Sequence, residues 1–349
     1  MLFNVQRDTG PLIEGYLIPD GFSEVPSVLV SDDEGEVAMV LCDQLHKAVL
    51  SAGRHETGLV GFRLTEANVP RLRERANLCI RDSKTGLLLY RRPIQSRQVN
   101  LKIVRFETQL FPYFAFDREM YNHFQYALPA LDRFGNETAL QAFHLDSMSS
   151  MYLSGRLQVK NFMGFLDKGF KSIALLTDPY YEMALRLAMF KRFSAAKPQF
   201  LGDRDQMSLV PAIGYFKDVN IDDSGSLEKA LKRAPDKVRT ALISPATRLF
   251  GCSDGDQLPN RRDIAAAMDV ISRFDVIGHI NDTMTFAASL SELLNIEMDM
   301  IPILQRNGVI NAIASQLRTL PVAELYIEDD LILDYYVRQA MEMSSSHEN

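Results

Sequence analysis

The chain has 349 residues, 46% of them hydrophobic and 24% charged, and a net charge of −7 from 38 Lys and Arg against 45 Asp and Glu. That composition excludes fibrous and disordered classes, and the length suggests roughly two to three domains. An acidic chain without a long basic run is not expected to bind nucleic acid or to carry a polybasic membrane anchor, although a local basic pocket stays open.

The opening MLFNVQRDTGPLIEGYLIPD has no basic stretch followed by an apolar one, and nowhere do about 18 apolar residues run together, so no transmembrane segment is expected. The three cysteines, Cys42, Cys79 and Cys252, are far apart and odd in number, which points to a reducing, cytoplasmic setting. Residues 1–95 alternate short β-type runs such as IEGYLIP, SVLVSDDEG and LVGFRLT with turn signals. Asp33-Glu34-Gly35 and Ser83-Lys84-Thr85-Gly86 sit between runs of Val, Leu and Ile as hairpin loops, so a small antiparallel β-sandwich is expected. One helix, ANVPRLRERA, interrupts it, and a domain boundary is placed in RRPIQSRQVN, Arg91 to Asn100.

From residue 100 to 343 helical patterns alternate with short apolar runs, which predicts an α/β domain with a mostly parallel sheet. The helices are DREMYNHFQYALPALDRF, SLEKALKRA, NRRDIAAAMDVISRF and DDLILDYYVRQAMEM; the strands are FKSIALL, KVRTALIS and FDVIGHI. Asp117, Ser226 and Asn260 are the expected helix caps. Residues 344–349 read as a disordered tail.

The stretch ALLTDPYYEMALRLAMFKRF, Ala174 to Phe193, is a strand stopped by Asp178-Pro179 and restarted as a helix, a place where α/β proteins often hold an anion. Arg248, between ISPAT and Gly251, could reach a ligand at the carboxyl edge of the sheet; the competing reading is a structural ion pair. His144 is a candidate general base, with Asp117 and Glu119 as carboxylate alternatives, against an ordinary helix or loop histidine. SGRLQVKNFMG, Ser154 to Gly164, combines glycine, base and hydroxyl as a weaker phosphate cradle. His279 reads as a satisfied loop-end histidine, Asp254 and Asp256 as an incomplete calcium pattern, and Phe111, Tyr113, Phe114 and Phe116 as core rather than a sugar platform. No metal site is expected, and no Walker loop, G-x-S-x-G elbow, H-E-x-x-H or complete dinucleotide fingerprint occurs.

From about residue 140 to 340 the order of TDP-helix, ALISPATRLFGCSDGD, AAAMDVISRFDVIGHINDTMTFAASLSELLNI and EDDLILDYYVRQAM resembles bacterial carbohydrate sulfotransferases, which use 3′-phosphoadenosine 5′-phosphosulfate. LIEGYLIPD and LCIRDSKTGLLL are similar to small β-domains preceding transferase domains of surface-polysaccharide enzymes. The resemblance implies a P-loop-like sulfotransferase domain, with Thr177, Arg186 and Arg248 as nucleotide-binding positions and His144 as the base. It also implies an Arg before Asp-Pro, a Ser two turns into the helix and a glycine loop with Lys after the first strand. Here Thr177 and Leu185 take the first two places, and no glycine occurs between Gly86 and Gly135. Arg186 points about 100° around the helix from the Ser position. Each lost charged contact is worth roughly 1.5–3 kcal/mol. The expectation is therefore a pseudoenzyme without cofactor that binds a glycan or another protein in cell-envelope or surface-polysaccharide biology, with homo-oligomers allowed. The rival is an active glycan-directed transferase using 3′-phosphoadenosine 5′-phosphosulfate through a non-standard site.

Overall fold

The structure, a computed structural model, describes residues 1–93, 98–195 and 198–347, with side chains up to residue 343. Its first strands are β1 Leu2–Asp8, β2 Leu12–Ile18, β3 Ser27–Asp32, β4 Gly35–Leu41, β5 Gln44–Leu45, β6 Leu59–Thr65, β7 Cys79–Asp82 and β8 Leu88–Arg91. They form two antiparallel sheets, ordered β1-β2-β6-β5 and β4-β3-β7-β8. Phe3, Ile13, Leu17, Phe62 and Leu64 are buried in the first and Val28, Val30 and Ile80 in the second, the period-2 pattern of sheets with one core face. Both expected hairpins form, and Gly35 and Gly86 supply their positive φ values of 124° and 71°. Arg92 ties β1 to the segment after β8, donating to Asp8 and to the carbonyls of Gly10, Leu72 and Arg75.

The remaining strands are β9 Lys102–Phe106, β10 Tyr126–Leu128, β11 Met151–Gly155, β12 Lys171–Leu176 and β13 Val276–His279. Their sheet is ordered β10-β11-β9-β12-β13, with β12 parallel to both β9 and β13. Helix Pro179–Phe193 follows β12 and buries Ala184, Leu185, Leu187 and Phe190 in a cluster with Phe216, Leu227, Leu231, Leu242, Ile313 and Leu317. The architecture is mixed α/β, as the helix and strand alternation predicts. Compactness divides the chain into two units, residues 1–102, 120–129 and 134–152, and residues 103–119, 130–133 and 153–349. The boundary expected in RRPIQSRQVN falls partly on 94–97, outside the described residues, and the observed division is discontinuous in sequence.

Several local expectations are corrected. ANVPRLRERA forms only the single turn Leu72–Glu74, because Arg71 is left-handed (φ 58°) after Pro70 and Glu66 takes the amides of Leu72 and Arg73. The long helix from Asp117 to Phe134 is instead helix Phe114–His123 followed by β10, since the amide of Tyr126 pairs with the carbonyl of Ser150. Asp117 lies inside that helix as a buried ion-pair partner and not at its start. Asp223, not Ser226, caps helix Ser224–Arg233, and the amide of Ser226 donates to it at 2.6 Å. KVRTALIS is helix Asp236–Arg239 and a turn, and SPATRLFG is helix Pro245–Gly251. The last helix, Pro321–His347, continues past residue 344; residues 348–349 of the expected tail lie outside the described residues.

Asn260 caps helix Arg261–Ile271 as expected and forms a reciprocal capping box with Asp263. A β-carbon on Gly251 would lie 2.3 Å from the Asp263 carbonyl oxygen, so glycine is what lets helix Pro245–Gly251 approach this turn. Gly251→Ala should lower stability by about 1–3 kcal/mol. Urea unfolding should show a lower midpoint with an unchanged slope; an unchanged midpoint would remove this contact from the packing account.

Candidate functional site

In the parallel sheet the chain leaves β9 toward β10 and β11, then returns to β12 on the other side of β9. The carboxyl ends of β9 and β12 therefore flank a switch point, the usual ligand position in open α/β sheets. The loop after β9 reads ETQLFPY, Glu107 to Tyr113, and helix Pro179–Phe193 starts two residues after β12.

Three of the loop's amides are taken up by the chain's own carboxylates. Glu107 accepts from the amides of Gln109 (3.3 Å) and Tyr113 (2.8 Å), and Glu182 accepts from the amide of Leu110 (3.0 Å). Thr108 Oγ1 donates to the carbonyl of Leu175 at 2.6 Å. Gln109 Nε2 donates to Thr177 Oγ1 at 3.0 Å, which joins the two strand ends directly. Glu107, Thr108, Gln109, Thr177 and Glu182 are all buried.

Two arginines hold these acids. Arg105, on β9 and 3% exposed, donates to Glu107 at 2.7 Å and to Asp117 at 3.0 Å, and Ser154 Oγ donates to the same Asp117 oxygen at 2.7 Å. Arg186 Nε donates to Glu182 at 2.7 Å. Burial raises the Glu182 carboxyl to about 7, with the nearby Glu107 charge adding to it and Arg186 opposing it.

The positions proposed from sequence fall as follows. Thr177 is the acceptor for Gln109. Asp178 caps helix Pro179–Phe193, accepting from the amide of Tyr181 at 3.0 Å, and its other oxygen receives Arg318 at 2.5 Å. Leu185 points into the core. Arg186 also donates to the carbonyl of Ala241, while Arg248 donates to those of Thr240 and Ile243, both at 2.7 Å. Arg186 and Arg248 thus meet at one turn, residues 240–243, and Thr177 makes its bond elsewhere. Arg248 is lowered to about 10 by burial and then by Arg186. His144 is exposed at the end of helix Asn136–Phe143, in the first unit, whereas the other three positions belong to the second.

The other candidates are likewise engaged. Arg156, in SGRLQVKNFMG, gives its amide and guanidinium to Asp132 at 3.0 Å and pairs with Asp205. His279 Nδ1 accepts the amide of Asn281, so Nε2 carries the proton and donates to Asp334 at 2.9 Å. Asp254 and Asp256 pair with Arg204. Tyr113 and Phe116 are buried, while Phe111 and Phe114 are partly exposed and meet Phe200 edge to face. Among the described residues no His, Cys, Asp and Glu group is placed to hold a metal, and no helix is long and apolar enough to cross a membrane.

Neither Glu107 nor Glu182 belongs to a motif legible in the sequence, and Arg105 stands out there only as a base near Lys102 in the stretch without glycine. One signal was present: Glu182 and Arg186 are an i, i+4 pair on a helix whose neighbouring positions are apolar. Compared with protein-family models and with curated proteins, the chain matches none.

Two measurements test this network. Arg105→Met should destabilise the fold by about 3–5 kcal/mol, because it strands Glu107 and Asp117 as buried charges; a loss below about 1 kcal/mol in urea titration would show that the acids do not depend on it. For Glu182 the folded carboxyl binds its proton more tightly than the unfolded one, so its contribution is present below pH 4.5 and lost as pH rises through about 7. Wild type minus Glu182→Gln stability should fall by about 3 kcal/mol across that window. A flat difference would mean that the carboxylate is fully compensated by Arg186.

Proposed function

We propose that the chain is a sulfotransferase-like protein that has given up the phosphosulfate donor and works by binding, as a recognition or assembly component of cell-envelope or surface-polysaccharide biology. The observation that carries this reading is the pair of carboxylates, Glu107 and Glu182, on the amides of Gln109, Leu110 and Tyr113. In the family resemblance the amides after the first strand would cradle the donor's 5′-phosphate.

A phosphate entering that loop would meet two acids where it needs amides and a lysine. At about 4 Å and an effective dielectric near 20, each of these carboxyls in its ionised form would cost a phosphate roughly 4 kcal/mol. The second half-site supports the same reading: Thr177 is committed to Gln109 and Leu185 is in the core, in the places of an arginine and a serine. Arg186 and Arg248, the remaining cations of the expected site, serve the carbonyls of the 240–243 turn. A strand, an Asp-Pro turn and a capped helix persist beside a switch point, which accounts for a fold-level likeness without the donor chemistry.

Isothermal titration with adenosine 3′,5′-bisphosphate, the product nucleotide, is expected to show no binding up to about 1 mM, the limit at which affinity corresponds to about 4 kcal/mol. Micromolar binding would overturn the reading and favour an active transferase.

A further inference from the structure

Among the described residues, two of the four outer strands of the antiparallel sheets have carbonyls taken by side chains, and a third is very short. Gln141 Nε2 donates to the Phe3 carbonyl on β1, Tyr126 Oη and Gln125 Nε2 donate to the carbonyls of Leu88 and Arg91 on β8, and β5 is only two residues long. The fourth, β4, pairs with β3 alone among the described residues. Edge strands left open in this way are usually blunted by lysine, proline or a bulge, because their free N–H and C=O groups recruit other strands. β4 has a register shift opposite Val30/Ser31, but Ala38–Leu41 beyond it is regular and carries no charge.

Its side chains depart from the usual polar-outside pattern. Val40 and Ala38 lie opposite Val28 and Val30 on the core face, so Met39 and Leu41 occupy the outer face beside Leu29 and Ser27. Met39 is 69% and Leu41 62% exposed. Along β7 and β8 the same outer face is covered, since Tyr121 contacts Cys79, Arg81 and Arg91. On β4 the same face is apolar, with Met39 and Leu41, and it is left exposed.

We infer that β4 receives an added β-strand from another protein: an extended segment with alternating apolar residues and Lys or Arg at its ends. The charges select the occupant. Glu34 and Glu36 stand at one end of the regular stretch and Asp43 at the other, all exposed. A second copy paired antiparallel would bring acid toward acid at both ends, whereas basic flanks complement both. Backbone pairing supplies affinity, and Met39 and Leu41 read the alternate side chains.

The test uses the full chain with two labelled probe peptides, KKVTVTVTKK and EEVTVTVTEE, followed by fluorescence anisotropy. The lysine-flanked peptide should bind saturably and at least roughly tenfold more tightly than the glutamate-flanked one. The double variant Met39→Ser, Leu41→Ser, both sites being exposed, should keep its circular dichroism and lose roughly tenfold in affinity. Absence of saturable binding, equal affinity for both peptides, or unchanged binding by the variant overturns the inference. A concentration-dependent doubling of the 39.5 kDa mass that the variant abolishes overturns it also, by assigning β4 to a second copy.

Discussion

Burying the Arg105 guanidinium at the end of β9 is the constraint on which the rest of the second unit depends. A charge 3% exposed must be matched locally, and it is matched by Glu107, two residues on along the same strand direction, and by Asp117 one helix later. Those pairings decide how the chain leaves the sheet. With Glu107 held by Arg105, its carboxylate can reach the amides of Gln109 and Tyr113, and the loop closes over its own acid. Helix Phe114–His123 then starts where the loop leaves it, and Asp117 faces inward. While Glu107 holds them, those two amides are not free to take another acceptor.

The same device recurs across the second unit. Asp330 takes the amides of Ala246 and Thr247, Asp132 that of Arg156, and Asp178 that of Tyr181. Each of these N–H groups is satisfied by a hydrogen bond to a carboxylate of the same chain. The arginines follow suit: terminal guanidinium nitrogens of Arg186 and Arg248 donate to carbonyls of residues 240–243, in a turn between two short helices. Internal satisfaction of this kind carries no association entropy, so it outcompetes a small ligand of equal hydrogen-bonding strength.

Elements with strong local signals were legible in the sequence. The Asp33–Gly35 and Ser83–Gly86 hairpins, the Asp178-Pro179 helix start and the Asn260 cap all depend on residues adjacent in the chain. The misreadings share the opposite property. Tyr126–Leu128 has helical-looking neighbours but becomes β10 because Ser150 pairs with it, and Asp117 looks like a cap until Arg105 claims it. KVRTALIS has the composition of a buried strand and folds as a helix and turn whose carbonyls receive arginines from elsewhere. The candidate site was half legible for the same reason. Thr177 and Leu185 were legible as uncharged positions beside the Asp-Pro turn, whereas Glu107 and Glu182 come from two distant segments, and only Glu182 carries a spacing signal, its i, i+4 pairing with Arg186.

A protein whose loop amides are internally neutralised can still bind through backbone groups of another kind. At a sheet end the unpaired groups are donors converging on a point, which suits a compact anion; here carboxylates hold that geometry. At a sheet edge donors and acceptors alternate along a line, and no single side chain can satisfy a row of them. On β1 and β8, glutamine and tyrosine side chains occupy individual carbonyls and interrupt the row. On β4 the row from Ala38 to Leu41 continues, bordered by acids. A line of alternating donors and acceptors differs in this from a converging set of donors: it is matched in full by the backbone of another strand.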